Sequence, residues 1–246
     1  MSATTEHKEL LADAADKLFQ NAATCAHAQL WEQIEASGMT AVLVPESAGG
    51  FGGGWEDAFV VLHAAGFHAV PTSFADRVVE LKLLHDAGDP FALGALARAA
   101  LMAGALSGVL RLCVQHANDR QQFGRPIGKF QTIQHSLAVL ANETAAVNCA
   151  AVAACRAAVR GDALFEIAAA KLRANRAAGT ATAIAHQVHG ALGFTHEHKL
   201  HFATQLLWSC RSEYGNDRYW ASRLGEIAAQ QGPSRLWPFL TARSDA

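Results

Sequence analysis

Residues Arg120 to His135, RQQFGRPIGKFQTIQH, bring two arginines, four glutamines and two phenylalanines into one glycine-bearing link between alanine-rich apolar runs. A turn between helices needs only solubility and a glycine. The guanidinium of Arg120 adds a rigid fork that matches phosphate oxygens, a role a lysine fills less well. Phe123, placed before Gly124, is suited to covering an aromatic ring or to plugging the end of a helical bundle. On spacing alone both readings stand: contact with a planar, charged cofactor, or a structural cap.

Other candidate chemistry is weaker. His186, His189, His196, His198 and His201 crowd one region, yet no HExxH, paired cysteines or carboxylate at a ligand offset accompanies them, so no metal site is expected. The run Gly49–Gly54 lacks the GK[ST] ending of a phosphate loop and opens no βαβ unit, which makes it a structural turn. There is no GxSxG. Cys113, Cys149, Cys155 and Cys210 lie in apolar-looking segments and, with Cys25, read as free thiols rather than nucleophiles or ligands.

The chain has 246 residues, 51% of them hydrophobic, and a net charge of -2 from 20 basic and 22 acidic side chains. That content builds a sizeable core. Without a basic patch or stacking platform, no nucleic-acid partner is expected. The N-terminus has no unbroken apolar stretch of signal-peptide type, and charges are expected to interrupt the alanine-rich tracts before they span a bilayer. The expectation is a soluble cytoplasmic protein with no membrane partner.

These residues need elements to hold them. Abundant Ala and Leu, with few alternating β-branched runs, predict an all-α chain. Helices are expected over about Glu6–Ala23, Ala28–Ala36, Trp55–Ala69 and Asp76–Ala87, then longer ones over Gly94–Asn118, Gln131–Arg160, Leu164–His189 and His201–Gln231. The turn residues Gly88, Asp89 and Pro90 mark a boundary. The expected division is a small N-terminal helical domain, 1–90, and a C-terminal four-helix bundle, 91–246. Connections one and three of such a bundle share an end, so the Arg120 loop and the loop Gly190 to Lys199 should lie side by side. Helix N-termini there expose N–H groups that favour an anion such as a pyrophosphate.

Three segments then resemble the acyl-CoA dehydrogenase family. DRQQFGRPIGKFQTIQHSLA, Asp119 to Ala138, is similar to the signature that follows the first long C-terminal helix; HQVHGALGFTHEHKL, His186 to Leu200, resembles the second signature, with Ala191 in place of its second glycine; LWEQIEASGMTAVLVPESAGGFGGG, Leu30 to Gly54, resembles the first domain. The resemblance implies FAD as cofactor and α,β-dehydrogenation of an acyl-CoA, with a carboxylate removing the α proton. It implies that Arg120, Gln122, Phe123 and the adjoining Gly124 contact a flavin held mainly by a neighbouring subunit. Gln131 and the backbone around Gln187, Gly190, Ala191 and Gly193 would line its adenine and pyrophosphate side.

The departures matter more. Between Pro71 and Ala97, where the family inserts a middle β domain, there is only a short helix and a turn. Tyr214 stands where the family carries its catalytic glutamate, Glu213 is adjacent on what reads as one helix turned by about 100°, and the alternative family position near Gly94 has no acid either. No residue of this chain is expected to be catalytic. The pattern resembles the non-catalytic subunit of heteromeric acyl-CoA dehydrogenases, such as those acting on steroid side-chain thioesters. A full-length partner, as in a heterotetramer, would then hold the acyl-CoA and supply the base. Two other readings remain: a self-sufficient homo-oligomer using Glu213 or Glu143, and a flavin-free structural or regulatory subunit.

Overall fold

Helix α1 (Ala3–Phe19) opens the chain in a computed structural model that describes residues 3–22, 25–195 and 198–244. The predicted end of that helix at Ala23 lies outside the described residues, as does His196. α2 (His27–Ser37) closes on Gly38, whose φ of 69° fits a left-handed helix stop. After two 3₁₀ turns come α3 (Trp55–Phe67) and α4 (Ser73–His85). The long elements follow: α5 (Pro90–Asp119), a two-residue ribbon of β1 (Gln121–Gln122) and β2 (Arg125–Pro126), α6 (Gln131–Arg160) and α7 (Leu164–His189). α8 (Leu200–Ser212), α9 (Asp217–Gln231) and α10 (Leu236–Ser244) complete the chain. Among the described residues the sole sheet is that ribbon, so the protein is all-α and has no middle β domain.

α5 is the axle. It packs against α3, α4, α6, α7 and α8, and nearly every side chain from Ala92 to Val109 is buried. It starts at Pro90, one turn before the predicted Gly94, because the Asp89 carboxylate accepts from Phe91 N at 2.9 Å and proline suits the first helical position. Glycines let α3 press on it backbone to backbone. A Cβ at Gly104 would stand 1.8 Å from His63 O, and one at Gly66 would stand 1.8 Å from Leu101 O. One continuous core runs from Ala15 to Trp220, on both sides of the position-90 boundary.

Two predicted features are corrected. The helix expected over His201–Gln231 is broken between Ser212 and Asp217, because Tyr214 (φ 50°) and Gly215 (φ 95°) turn left-handed and Asn216 Oδ1 accepts from Tyr219 N at 3.0 Å to start α9. By length and composition, α5 and α6 are apolar enough to cross a membrane, so charges do not interrupt them as expected. The apolarity of α5 serves burial inside the protein, whereas α6 leaves most of its apolar window outside the core.

The α3–α5 crossing has no room for a side chain. Gly104→Val should therefore cost ~3 kcal/mol of stability, read as a lowered urea midpoint, with Val114→Ala at an exposed position of the same helix changing it little.

Candidate functional site: an open loop end and a closed acid position

The Arg120 segment is a stiff finger rather than a loose loop. Gln121 pairs with Pro126 and Gln122 with Arg125, while Phe123 (φ 52°) and Gly124 (φ 77°) form the two-residue turn between them. Positive φ at both turn positions matches the twist of a tight hairpin. Ile127 N donates to Arg120 O at 2.8 Å, Gln134 Nε2 donates to Gly128 O at 2.9 Å, and the Arg125 guanidinium lies 4.3 Å from the Phe130 ring centre. Phe123 meets only the edge of Phe130, at 6.1 Å between ring centres, and is 91% exposed. An apolar ring held out by left-handed backbone costs about 1 kcal/mol before any partner covers it.

The second loop lies at the same end. His116, in the last turn of α5, stacks on His189, in the last turn of α7, at 4.5 Å between ring centres. His198 packs edge-on to His189 at 4.7 Å, and His186 stacks on Phe194 at 4.3 Å. Gly190 (φ 58°) leads into a 3₁₀ turn through Phe194 that exposes Leu192 and Phe194. Ala191 is not among the residues with positive φ, so the alanine departure brings no backbone strain. Gly193 is held close, since a Cβ there would stand 2.9 Å from His189 Cβ.

Arg120, Gln122, Phe123, Gly124 and Gln131 are thus exposed on one loop, and Gln187, Gly190 and Ala191 on its neighbour, while Gly193 is buried beneath. No side chain caps the first turn of α6, and with Phe130 N and Ile133 N bonded to backbone carbonyls, the N–H groups of Gln131 and Thr132 are left available to an anion. Guanidinium, amide, aromatic edge and free helix N–H groups fit a dinucleotide carrying a pyrophosphate. The histidines form stacked rings, and among the described residues no group of three or more His, Cys, Asp or Glu is placed to hold a metal ion. Burial pulls the His189 imidazole down to about 4, and its Nδ1–H donates to Ala185 O at 2.8 Å.

The other end of α5 tells the opposite story. Arg98, only 2% exposed, donates from Nε to Glu213 Oε2 at 2.5 Å and from Nη2 to Asp76 Oδ1 at 2.7 Å. Tyr214 donates its hydroxyl to Asp76 Oδ1 at 2.9 Å, and its ring occupies the space over Gly94, where a Cβ would lie 2.3 Å from Tyr214 Cε1. Tyr214 and Gly94 therefore fill one another's space. Burial and the bond to Asp76 push the phenol up, so it is no base. Glu213 is the extended C-cap of α8 rather than a residue within a helix, so the expected helical rotation does not apply, and Arg98 holds its carboxylate. Glu143 lies elsewhere, paired with Arg173 at 2.5 Å.

Sequence reasoning missed the residue that holds this turn together. Lys171, fully buried on α7, donates to Asn175 Oδ1 at 2.7 Å, Cys210 O at 2.8 Å and Gly215 O at 3.2 Å. It ties up carbonyls left at the end of α8. Burial pulls its ammonium down to about 8. A lone lysine inside an Ala-rich helix, followed four residues later by Asn175, was the available signal. Of the thiols, Cys113, Cys155 and Cys210 are buried and pushed up to about 12, but Cys149 is exposed, contrary to its apolar-looking context.

Fold and site together define an all-α bundle protein with an exposed arginine-, glutamine- and phenylalanine-bearing loop at one end of its axle and a packed, ion-paired cluster around Tyr214 at the other. The model of the acyl-CoA dehydrogenase C-terminal domain matches residues 85–213, just over half of the sequence, and the chain belongs to the acyl-CoA dehydrogenase family. It is 40% identical over 107 residues to acyl-CoA dehydrogenase IpdE2 of Mycobacterium tuberculosis, a match covering 44% of this chain and 32% of that protein. The aligned part thus spans about a third of that relative. In fold it is similar to a chain of the ChsE4-ChsE5 complex from Mycobacterium tuberculosis, with TM-score 0.83, 16% identity and coverage of 93% of this chain and 99% of that one. A chain of the Tcur3481-Tcur3483 steroid ACAD G363A variant gives TM-score 0.80 at 18% identity, covering 92% and 98%.

Two outcomes follow. His189 refuses a proton that the unfolded chain accepts near its ordinary 6.5. Stability should fall as pH drops from about 6.5 to about 4, by ~3 kcal/mol from this ring, and His189→Gln should flatten that part of a urea-midpoint against pH curve. Lys171→Met takes the lysine donor from Cys210 O and Asn175 Oδ1, while Gly215 O keeps Asn175 Nδ2, and should cost ~3 kcal/mol, seen in thermal melts.

Proposed function

We propose that this chain is one subunit of a heteromeric FAD-dependent acyl-CoA dehydrogenase, completing a flavin site whose remainder lies on a full-length partner. The observation that carries this is a distance. Gly94 and Arg120 are 26 residues apart on one continuous helix, roughly 40 Å at 1.5 Å per residue. A clasp so far from its own chain's acid position serves a site on another chain, and the acid position that remains is filled by Tyr214 and locked by Arg98.

When bound, FAD supplies the hydride acceptor for oxidation at the β carbon of the thioester. Arg120 binds and orients phosphate oxygens, Gln122 and Gln131 donate amide hydrogen bonds, and Phe123 covers a ring and excludes water. The backbone around Gln187, Gly190, Ala191 and Gly193 lines the adenine side. Residues 91–246 act as the bundle unit that touches flavin and mediates assembly, with residues 1–90 as the helical domain beside it. The partner supplies the β wall, the base and the acyl-CoA cleft. Positioning is this subunit's contribution, since a flavin misplaced by ~1 Å costs about 100-fold in rate.

Similarity in fold to chains of a ChsE4-ChsE5 complex and of a protein described as a steroid ACAD supports the heteromeric reading, in a heterotetramer, and a steroid side-chain thioester as substrate class. A structure described as PigA with FAD and proline, matched over 94% of this chain with TM-score 0.81, supports FAD.

In the co-expressed complex, Arg120→Ala should weaken flavin binding about tenfold or more, equivalent to ~1.4 kcal/mol, measured by the visible spectrum after dialysis; unchanged occupancy and affinity defeats the clasp. Glu213→Gln should leave turnover nearly intact. Loss of turnover with assembly and flavin content preserved would make Glu213 the base.

A further inference from the structure

The glycine-rich run Gly49–Gly54 has no part in the clasp or the acid position, yet it is closely built. It folds back on the segment before it: Gly52 N donates to Val44 O at 2.8 Å and Gly53 N to Val42 O at 3.0 Å. A Cβ at Gly50 would stand 2.2 Å from Val44 O, so the fold-back needs that glycine. The outer face of the run forms one wall of a cleft of about 910 Å³. The α4–α5 junction, Asp86 to Asp89, and the α6–α7 junction around Val159 and Gly161 form the other walls.

The cleft has a sorted chemistry. Trp55, Leu93, Leu164 and Ile167 make an apolar floor. Val159, on the wall, is 61% exposed. Three carboxylates, Glu46, Asp86 and Asp89, stand at the rim against one cation, Lys82, which is already paired with Asp86. Glycines keep the space open: a Cβ at Gly54 would meet only Val159 Cγ2, at 3.8 Å, and one at Gly161 would meet nothing within 4 Å. The volume lies within the range of small-molecule sites, roughly 300–1,000 Å³. Asp57 caps the start of α3 and Asp89 that of α5, and the carboxylates lining the cleft outnumber its one cation, so hydroxyl donors suit it better than a nucleotide or a CoA thioester.

We propose that this cleft binds an uncharged, mainly apolar small molecule whose hydroxyl groups donate to the rim carboxylates. It sits at the α5 N-terminus, roughly 45 Å along that 30-residue helix from the Arg120 finger. It is therefore separate from the flavin clasp, and it stands or falls without it.

The probe is Nile red, a neutral dye, titrated into the full chain. Binding should saturate, with tryptophan-to-dye energy transfer that falls in Trp55→Phe, the remaining transfer coming from the other four tryptophans. Gly54→Leu fills the cleft without meeting backbone and should weaken binding at least about tenfold while circular dichroism and melting stay near wild type. If that variant does not fold, Val159→Trp fills the cleft from the opposite wall and should give the same loss. 1-Decanol should displace the dye at least about tenfold better than decanoate, its anionic counterpart. The proposal is overturned by absence of saturable binding, by unchanged affinity in the cleft-filling variant, by equal displacement by decanol and decanoate, or by loss of signal in Phe123→Ser, which would place the dye on the finger.

Discussion

The contact between α3 and α5 sets the frame on which everything else is mounted. Two helices whose backbones touch at Gly66 and Gly104 bring α5 to the centre of the molecule, where five other helices surround it. Close approach removes the freedom of α5 to tilt or slide, because any shift drives backbone carbonyls into one another. Thirty residues without a break then act as a ruler. The exposed Arg120 loop and the packed Tyr214 cluster are consequently separated by a rigid distance that no side-chain movement spans.

The two ends of that ruler are treated differently by the same physics. At the α5 N-terminus most of the polar groups pair with one another: Arg98 holds Asp76 and Glu213 through Nη2 and Nε, leaving only its Nη1 without a partner, Tyr214 adds to Asp76, and Lys171 ties the α8–α9 turn. A buried charge is tolerable only with partners, and here the partners are carboxylates that would otherwise be available for chemistry. At the α5 C-terminus the groups are left unsatisfied. Phe123, Leu192 and Phe194 face outward and Arg120 lies exposed beside an uncapped helix N-terminus. Exposed apolar side chains grouped in this way are the mark of an interaction surface.

The sequence carried the bundle well. The expected bounds of α6 and α7 coincide with the observed helices, since Gly161 and the Gly190 loop punctuate them plainly. The finger was legible as a loop, though not as a ribbon: two-residue strands leave no alternation to read. The fourth bundle helix was misjudged because Glu213-Tyr214-Gly215-Asn216 contains one glycine among helix-compatible neighbours, and the decisive partner, Lys171, is about 40 residues away in sequence.

By itself the sequence determined that the chain is all-α, that no β domain interrupts it, and that Arg120 and Phe123 sit on a glycine-bearing link of recognisable pattern. These are local properties, set by periodicity, turn residues and composition. Only the tertiary structure decided that Tyr214 fills the space over Gly94, that Arg98 immobilises Glu213, and that the clasp and this position face opposite ends of one helix. Such facts depend on side chains more than a hundred residues apart meeting in space, 98 with 213 and 76 with 214. Tyr214, which first read as a missing acid, is packed over Gly94 and hydrogen-bonded to Asp76, beside the ion pairs of Arg98 with Asp76 and Glu213.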